Sequence, residues 1–161
     1  MNQLVEAKCE CAALPDLTVV PMGGDDLDVR VFATLKRVRD RGEPRWWLYL
    51  SNCSSCGQNW LVAQEERIFD DYFLKRVSVT EAENIVVAVR WPEDFSTYEQ
   101  VLRVGHSLSK PCTFADPLDP SLIWTAQDLR KERPELTSEE IALLIGSTSS
   151  QVELMLTTNV G

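Results

Sequence analysis

Two hydrophobic periods run along this chain, one in each half. Before residue 79 apolar positions tend to alternate with polar ones. Val29, Val31, Ala33 and Leu35 are interleaved with Arg30, Thr34 and Lys36, and this period of two predicts a half-buried strand. Trp46-Trp47-Leu48-Tyr49-Leu50 predicts a second strand, aromatic-rich as strands prefer. The polar turn Arg39-Asp40-Arg41-Gly42-Glu43-Pro44 joins the two into an antiparallel hairpin. Residues 60–63 and 68–77 read as two further extended segments, separated by Gln64-Glu65-Glu66-Arg67. Residues 15–28, with Pro15, Pro21, Gly23, Gly24 and the run Asp25-Asp26-Leu27-Asp28, read as loop.

From residue 79 the period becomes helical. Thr80-Glu81-Ala82-Glu83 and Ser96-Thr97-Tyr98-Glu99 have capping-box form ahead of apolar runs, and Trp91-Pro92 lies between them as a stop. Lys110 to Pro120, with Pro111 and Pro117, reads as a linker or irregular wrap. Leu122, Ile123, Ala126 and Leu129 mark another helix, ending near Pro134. Thr137-Ser138-Glu139-Glu140 opens a short helix that Gly146 ends, and a last helix covers about 149–157. The expected class is α+β: an antiparallel sheet part over 1–78 and a helical part over 79–161.

The sheet half carries the most specific chemistry. Cys53-Ser54-Ser55-Cys56-Gly57 places two thiols on a tight turn, with a glycine that lets backbone N–H groups approach the sulfurs. Cys9-Glu10-Cys11 is a second close pair. Strand, knuckle, strand, strand resembles the zinc-knuckle and zinc-ribbon motifs. That implies a structural Zn²⁺ held by Cys9, Cys11, Cys53 and Cys56. A thioredoxin-like redox motif would need a long helix after C-x-x-C; here an extended segment follows. Cys112 is unpaired in sequence and reads as a packed thiol. His106, the single histidine, either caps its helix or replaces one thiolate.

Charge narrows the partner class. Of 161 residues, 44% are hydrophobic and 25% charged, and the formal net charge is −9. Residues 1–78 hold 10 Lys/Arg against 12 Asp/Glu, a net of −2; residues 79–161 hold 6 against 13, a net of −7. An acidic half disfavours nonspecific nucleic-acid binding, which neutralises phosphates. It favours a basic protein partner, with Glu139, Glu140 and Glu153 as candidate contact residues. Glu65-Glu66-Arg67 and Asp70-Asp71 read as turn and sheet-edge charges. Adjacent Trp46 and Trp47 cannot share one face of a strand, so one is core and the other needs separate cover. No nucleophile–base set is argued from one histidine, so no catalytic residue is assigned and a non-enzymatic protein is expected. No apolar run reaches the ~18–20 residues of a membrane span. Met1 to Leu17 lacks a basic signal region, and the expected compartment is the cytoplasm.

One segment carries a rival reading. Ser138 to Met155 resembles the helix-turn-helix of bacterial regulators, with Ala142 at the small contact position and Gly146 at the turn. Ile141, Ile145, Val152 and Met155 fill the apolar positions. The resemblance implies a DNA-binding transcription regulator. Ser149, Ser150 and Gln151 would face base edges, while 147–158 contains Glu153 and no Lys or Arg. Phosphate contacts would fall to Arg130, Lys131 and Arg133. The leading expectation is an acidic, zinc-stabilised protein-interaction module, an inhibitor, antidote or adaptor of a basic partner. The alternative is the helix-turn-helix regulator.

Overall fold

The structure is a computed structural model, and it describes residues 8–23, 26–108 and 116–158. Its class is α+β, with a five-stranded sheet in the N-terminal half and helices in the C-terminal half. Two compact units are distinguished: Met1–Gln64 with Asp71–Ser96, and Glu65–Asp70 with Thr97–Gly161.

The first unit is built on strands β1 (Leu17–Pro21), β2 (Leu35–Asp40), β3 (Leu48–Cys53), β4 (Asn59–Glu65) and β5 (Asp71–Val77), in spatial order β1-β5-β4-β3-β2. β1 pairs β5 antiparallel from Leu17↔Lys75 to Pro21↔Asp71. β2 pairs β3 from Leu35↔Cys53 to Asp40↔Tyr49, with a bulge between Arg37 and Arg39. This is the hairpin expected from the turn at 39–44. The inner strands are buried on both faces, which is why β3 and β4 read as nearly continuous apolar runs. On one face Trp60 and Val62 join Cys11, Val20, Val31, Tyr49, Cys53 and Leu74 in a core cluster. Leu61 and Ala63, one residue out of phase, are buried on the opposite face. Trp47 is buried and its indole donates to the Phe95 carbonyl at 3.1 Å. Trp46 stays 41% exposed and meets Trp47 edge to face at 5.7 Å.

Two local readings change. The alternating run at 29–36 is not one strand: helix α1 occupies Leu27–Phe32 and β2 starts at Leu35. Leu27 and Val31 are also four apart, so a short apolar run satisfies both periods. Val31 is buried while Val29 is exposed. The loop expected over 15–28 contains β1, where Pro21 is tolerated because β1 is an edge strand. Helix α2 (Val79–Val86) follows β5 and is grouped with the sheet. Its cap is Ser78 rather than Thr80: the Glu81 N–H donates to Ser78 Oγ at 3.1 Å.

The second unit contains α3 (Tyr98–Leu108), α4 (Pro120–Glu132), α5 (Ser138–Ile145) and α6 (Ser149–Thr157). Its helix starts follow local rules. Thr97 and Gln100 cap α3 reciprocally, at 3.1 and 3.2 Å. Asp119 caps α4, with Pro120 in its first turn. Thr137 caps α5, and Thr148 with Gln151 forms a full capping box on α6. Gly146 ends α5 at φ 67°, a left-handed geometry that suits glycine. Leu122, Leu129, Leu136, Ile141, Leu144, Ile145, Val152 and Met155 are buried, each such side chain contributing ~1.5–3 kcal/mol when fully removed from water. Among the described residues no helix is long and apolar enough to cross a membrane. Cys112 lies outside the described residues.

Candidate metal centre

Four sulfurs converge where β3 ends. The Sγ atoms of Cys9, Cys11, Cys53 and Cys56 all lie within 4.8 Å of one another, and the thiols are free rather than disulfide-bonded. A tetrahedral thiolate site with bonds of ~2.3 Å spaces its sulfurs ~3.8 Å apart. The donor set therefore fits a tetrahedral, thiophilic metal ion with only a small contraction. His106 lies exposed in the last turn of α3 and is not among the converged ligands.

The knuckle half of the set is held by the backbone. β3 delivers Cys53, whose N–H donates to Gln58 O and whose carbonyl accepts from the Gly57 N–H, both at 2.9 Å. That closes the knuckle in one turn and requires φ 80° at Gly57, a left-handed value. Asn52 Nδ2 braces the turn by donating to Gly57 O and Asn59 Oδ1, each at 2.9 Å. The Ser54 N–H donates to Thr34 O at 2.8 Å, tying the knuckle to the start of β2.

The other half rides on an irregular segment. Cys11–Ala13 forms a single 3₁₀ turn. Arg76 on β5 anchors it: Nη2 donates to the carbonyls of Cys11 and Leu14, each at 2.8 Å, and Nε pairs with Asp16 at 3.0 Å. The guanidinium also lies 4.4 Å from the Trp60 ring. Trp60, fully buried, donates its indole N–H to Cys11 Sγ at 3.3 Å. One arginine and one tryptophan thus place Cys9 and Cys11 beside a knuckle more than forty residues away. Donors around the sulfurs orient them and offset thiolate charge, as outer partners of a metal site do.

The thiols are electrostatically unequal. Burial pushes Cys11 up to about 12, although the Trp60 N–H favours its thiolate. Burial opposes ionisation of Cys53 as well. The Thr34 hydroxyl, 3.4 Å away, and the N–H groups of Cys56 and Ser55 outweigh it and bring this thiol down to about 6. Cys56, the exposed member, is raised: the Gln58 N–H lowers it, but burial and the neighbouring Cys53 prevail.

The remaining candidate residues are spread over the helical unit. Glu139 and Glu153 are exposed, near exposed Leu143 on α5 and Leu154 on α6 respectively. Glu140 is half-buried, its carboxylate accepts from the Thr137 hydroxyl at 3.2 Å and it lies 3.6 Å from Arg103. α5 and α6 meet across Gly146–Thr148. Gln151 is committed to the capping box, its Oε1 accepting from Thr148 N at 3.2 Å and from Ser147 Oγ at 2.7 Å. Arg133 is paired with Glu99 and Glu135 at 2.6 and 3.0 Å.

Glu65 was expected as a turn charge and is instead fully buried. Its carboxylate accepts from the N–H groups of Arg67, Ile68 and Phe69 at 2.7–2.9 Å and from the Tyr98 hydroxyl. Arg67 stacks between the Tyr98 and Trp124 rings, at 4.4 and 3.8 Å, and pairs with Asp128 at 3.1 Å. A carboxylate followed two to four residues later by turn N–H groups was the available signal, but a string of charges does not reveal its burial. Compared with known protein families, curated proteins and solved structures, the chain matches none.

Proposed function

We propose that the protein is a non-enzymatic interaction module whose sheet is stapled by a structural Zn²⁺ on Cys9, Cys11, Cys53 and Cys56. The observation that carries this reading is the convergence of four free thiol sulfurs within 4.8 Å from segments far apart in sequence. All four donors are sulfur, as in closed structural sites; catalytic zinc sites keep a position open and use imidazole or carboxylate ligands. The metal ties the N-terminal segment to the knuckle, so binding and folding of this region are coupled.

The helical unit supplies the contact surface in this reading. Its partner is a basic protein, and the module acts on it as inhibitor, antidote or adaptor. Support comes from the net charge of −7 on residues 79–161 and from Glu139 and Glu153 standing exposed beside Leu143 and Leu154. An apolar anchor with a charged rim is the usual anatomy of such a surface. The test is affinity capture from native extract followed by association kinetics. A basic protein should be recovered, its on-rate should fall as salt rises, and charge reversal at Glu139 and Glu153 should slow it further. Submicromolar, salt-sensitive binding to random duplex DNA would instead move the reading to a helix-turn-helix regulator.

A further inference from the structure

The flank of β2 carries apolar surface that folding does not require. β2 is an edge strand, paired on one side only, and such an edge offers unpaired N–H and C=O groups. Between the sheet face and α2 runs a groove of about 290 Å³ that extends inward over Leu50 and Asn52 of β3 and Asn59 of β4, with Val38, Val86 and Val87 at its β2 end. Arg39 links β2 to the end of α2 by donating from Nη1 to Val86 O at 3.1 Å. Val38, Val79, Val86 and Val87 are 47%, 67%, 41% and 81% exposed. A solvent-facing helix surface gains nothing from valine, whose branched Cβ lowers helix propensity. Clustered exposed apolar side chains of this kind mark contact sites.

The charge of the edge selects the guest. Lys36, Arg37 and Arg39 occupy three of the six β2 positions, and Arg41 follows. Arg37 is partly neutralised by Asp40 at 3.0 Å; Lys36 is exposed. Two copies paired antiparallel about the centre of β2 would set Lys36 opposite Arg39. Like charges facing across strands are destabilising, so that register is disfavoured for a second copy. Glu83 lies on the α2 wall of the groove, which places a guest's acidic groups on the β2 side.

We propose that the β2 edge and its valine groove bind an extended acidic segment of another protein. The guest lies alongside β2 with carboxylates against Lys36 and Arg39, which share the groove face with Val38. On that same face a small apolar side chain sits at the β2 end of the groove, beside Val38, Val86 and Val87. This is strand addition, with main-chain pairing for affinity and the pocket for selectivity. The site belongs to the sheet unit and is independent of the helical surface argued above.

A fluorescein-labelled octapeptide of sequence Glu-Thr-Val-Thr-Glu-Thr-Val-Thr, which sets glutamate and valine on one face of an extended strand, tests this by anisotropy against the full chain, with the same peptide carrying lysine for glutamate and a random DNA duplex as comparisons. The glutamate peptide should bind at ~10–100 µM, in the range of short strand-addition ligands, and weaken as salt rises. Lys36→Glu and Val38→Asp should each weaken it about tenfold or more. Should Val38→Asp disturb the fold by circular dichroism, Val87→Asp, at the most exposed valine, serves in its place. No anisotropy change at ~1 mM peptide, equal binding of the lysine peptide, or preferential binding of the duplex would overturn the proposal. Unchanged affinity in the valine variant would do the same.

Discussion

The two units of this chain are held together by different means. In the helical unit every element satisfies a local rule. The four helices carry N-terminal caps, α5 ends on a left-handed glycine, and apolar side chains recur on buried faces. The N-terminal segment of the sheet unit has almost none of this. Residues 8–14 hold one short 3₁₀ turn, and their position depends on Arg76, on the Trp60 indole and on four converging sulfurs. A segment without regular hydrogen bonding must be fixed by side chains or by a metal. The contrast puts the cysteines, two of them members of the core cluster, where regular hydrogen bonding holds the other elements.

The sharpest way to break the comparison is Cys53→Ser, or chelation of the wild-type chain. Either should destabilise the sheet unit by at least ~3 kcal/mol, a fraction of the ~10–16 kcal/mol that structural zinc supplies in small domains. Amide exchange should show lost protection in β3 and β4, with α4–α6 little changed. Equal loss in both regions would remove the contrast. Ile145→Ala is the reciprocal experiment. Ile145 is fully buried, so truncation should cost ~2–5 kcal/mol, with protection lost in α5 and α6 and metal content unaltered.

Arg76→Ala sharpens the account of the N-terminal segment. It removes two carbonyl contacts, the Asp16 pair and the stacking on Trp60. The expected cost is ~2–3 kcal/mol, typical of a partly buried charged hydrogen-bonding group, together with weaker metal binding in a competition titration. Unchanged metal affinity would mean that the sulfurs position the segment without help. The smallest effect belongs to Thr148→Ala, which removes the α6 cap. A loss of ~1 kcal/mol in denaturant melts is expected, with no effect at the cysteines.

This contrast also explains what the sequence disclosed. Helix ends depend on two or three neighbouring residues, so Thr137 with Glu140 and Gly146 were readable to within a residue. Ser78 and Thr97 displaced the expected caps by one or two positions because serine, threonine and glutamate recur there. The C-x₂-C-G knuckle was readable for the same local reason, and the Cys9/Cys11 pair through its chemistry. Long-range placements were not legible. Nothing local to Arg76 or Trp60 announces that they hold Cys11, and nothing local to Glu65 announces its burial against Tyr98. The short apolar run at 29–35 fitted two periods at once, and packing of Val31 rather than periodicity decided for helix α1.

Metal content of the untagged chain, purified without added metal and measured by elemental analysis alongside thiol titration, bears most directly on the central claim. The expected result is about one zinc per chain, with the four site thiols protected from alkylation until a chelator is added and Cys9, Cys11, Cys53 and Cys56 then modified together. A metal-free chain that gains no stability from added zinc, with those four thiols alkylated independently, would contradict it.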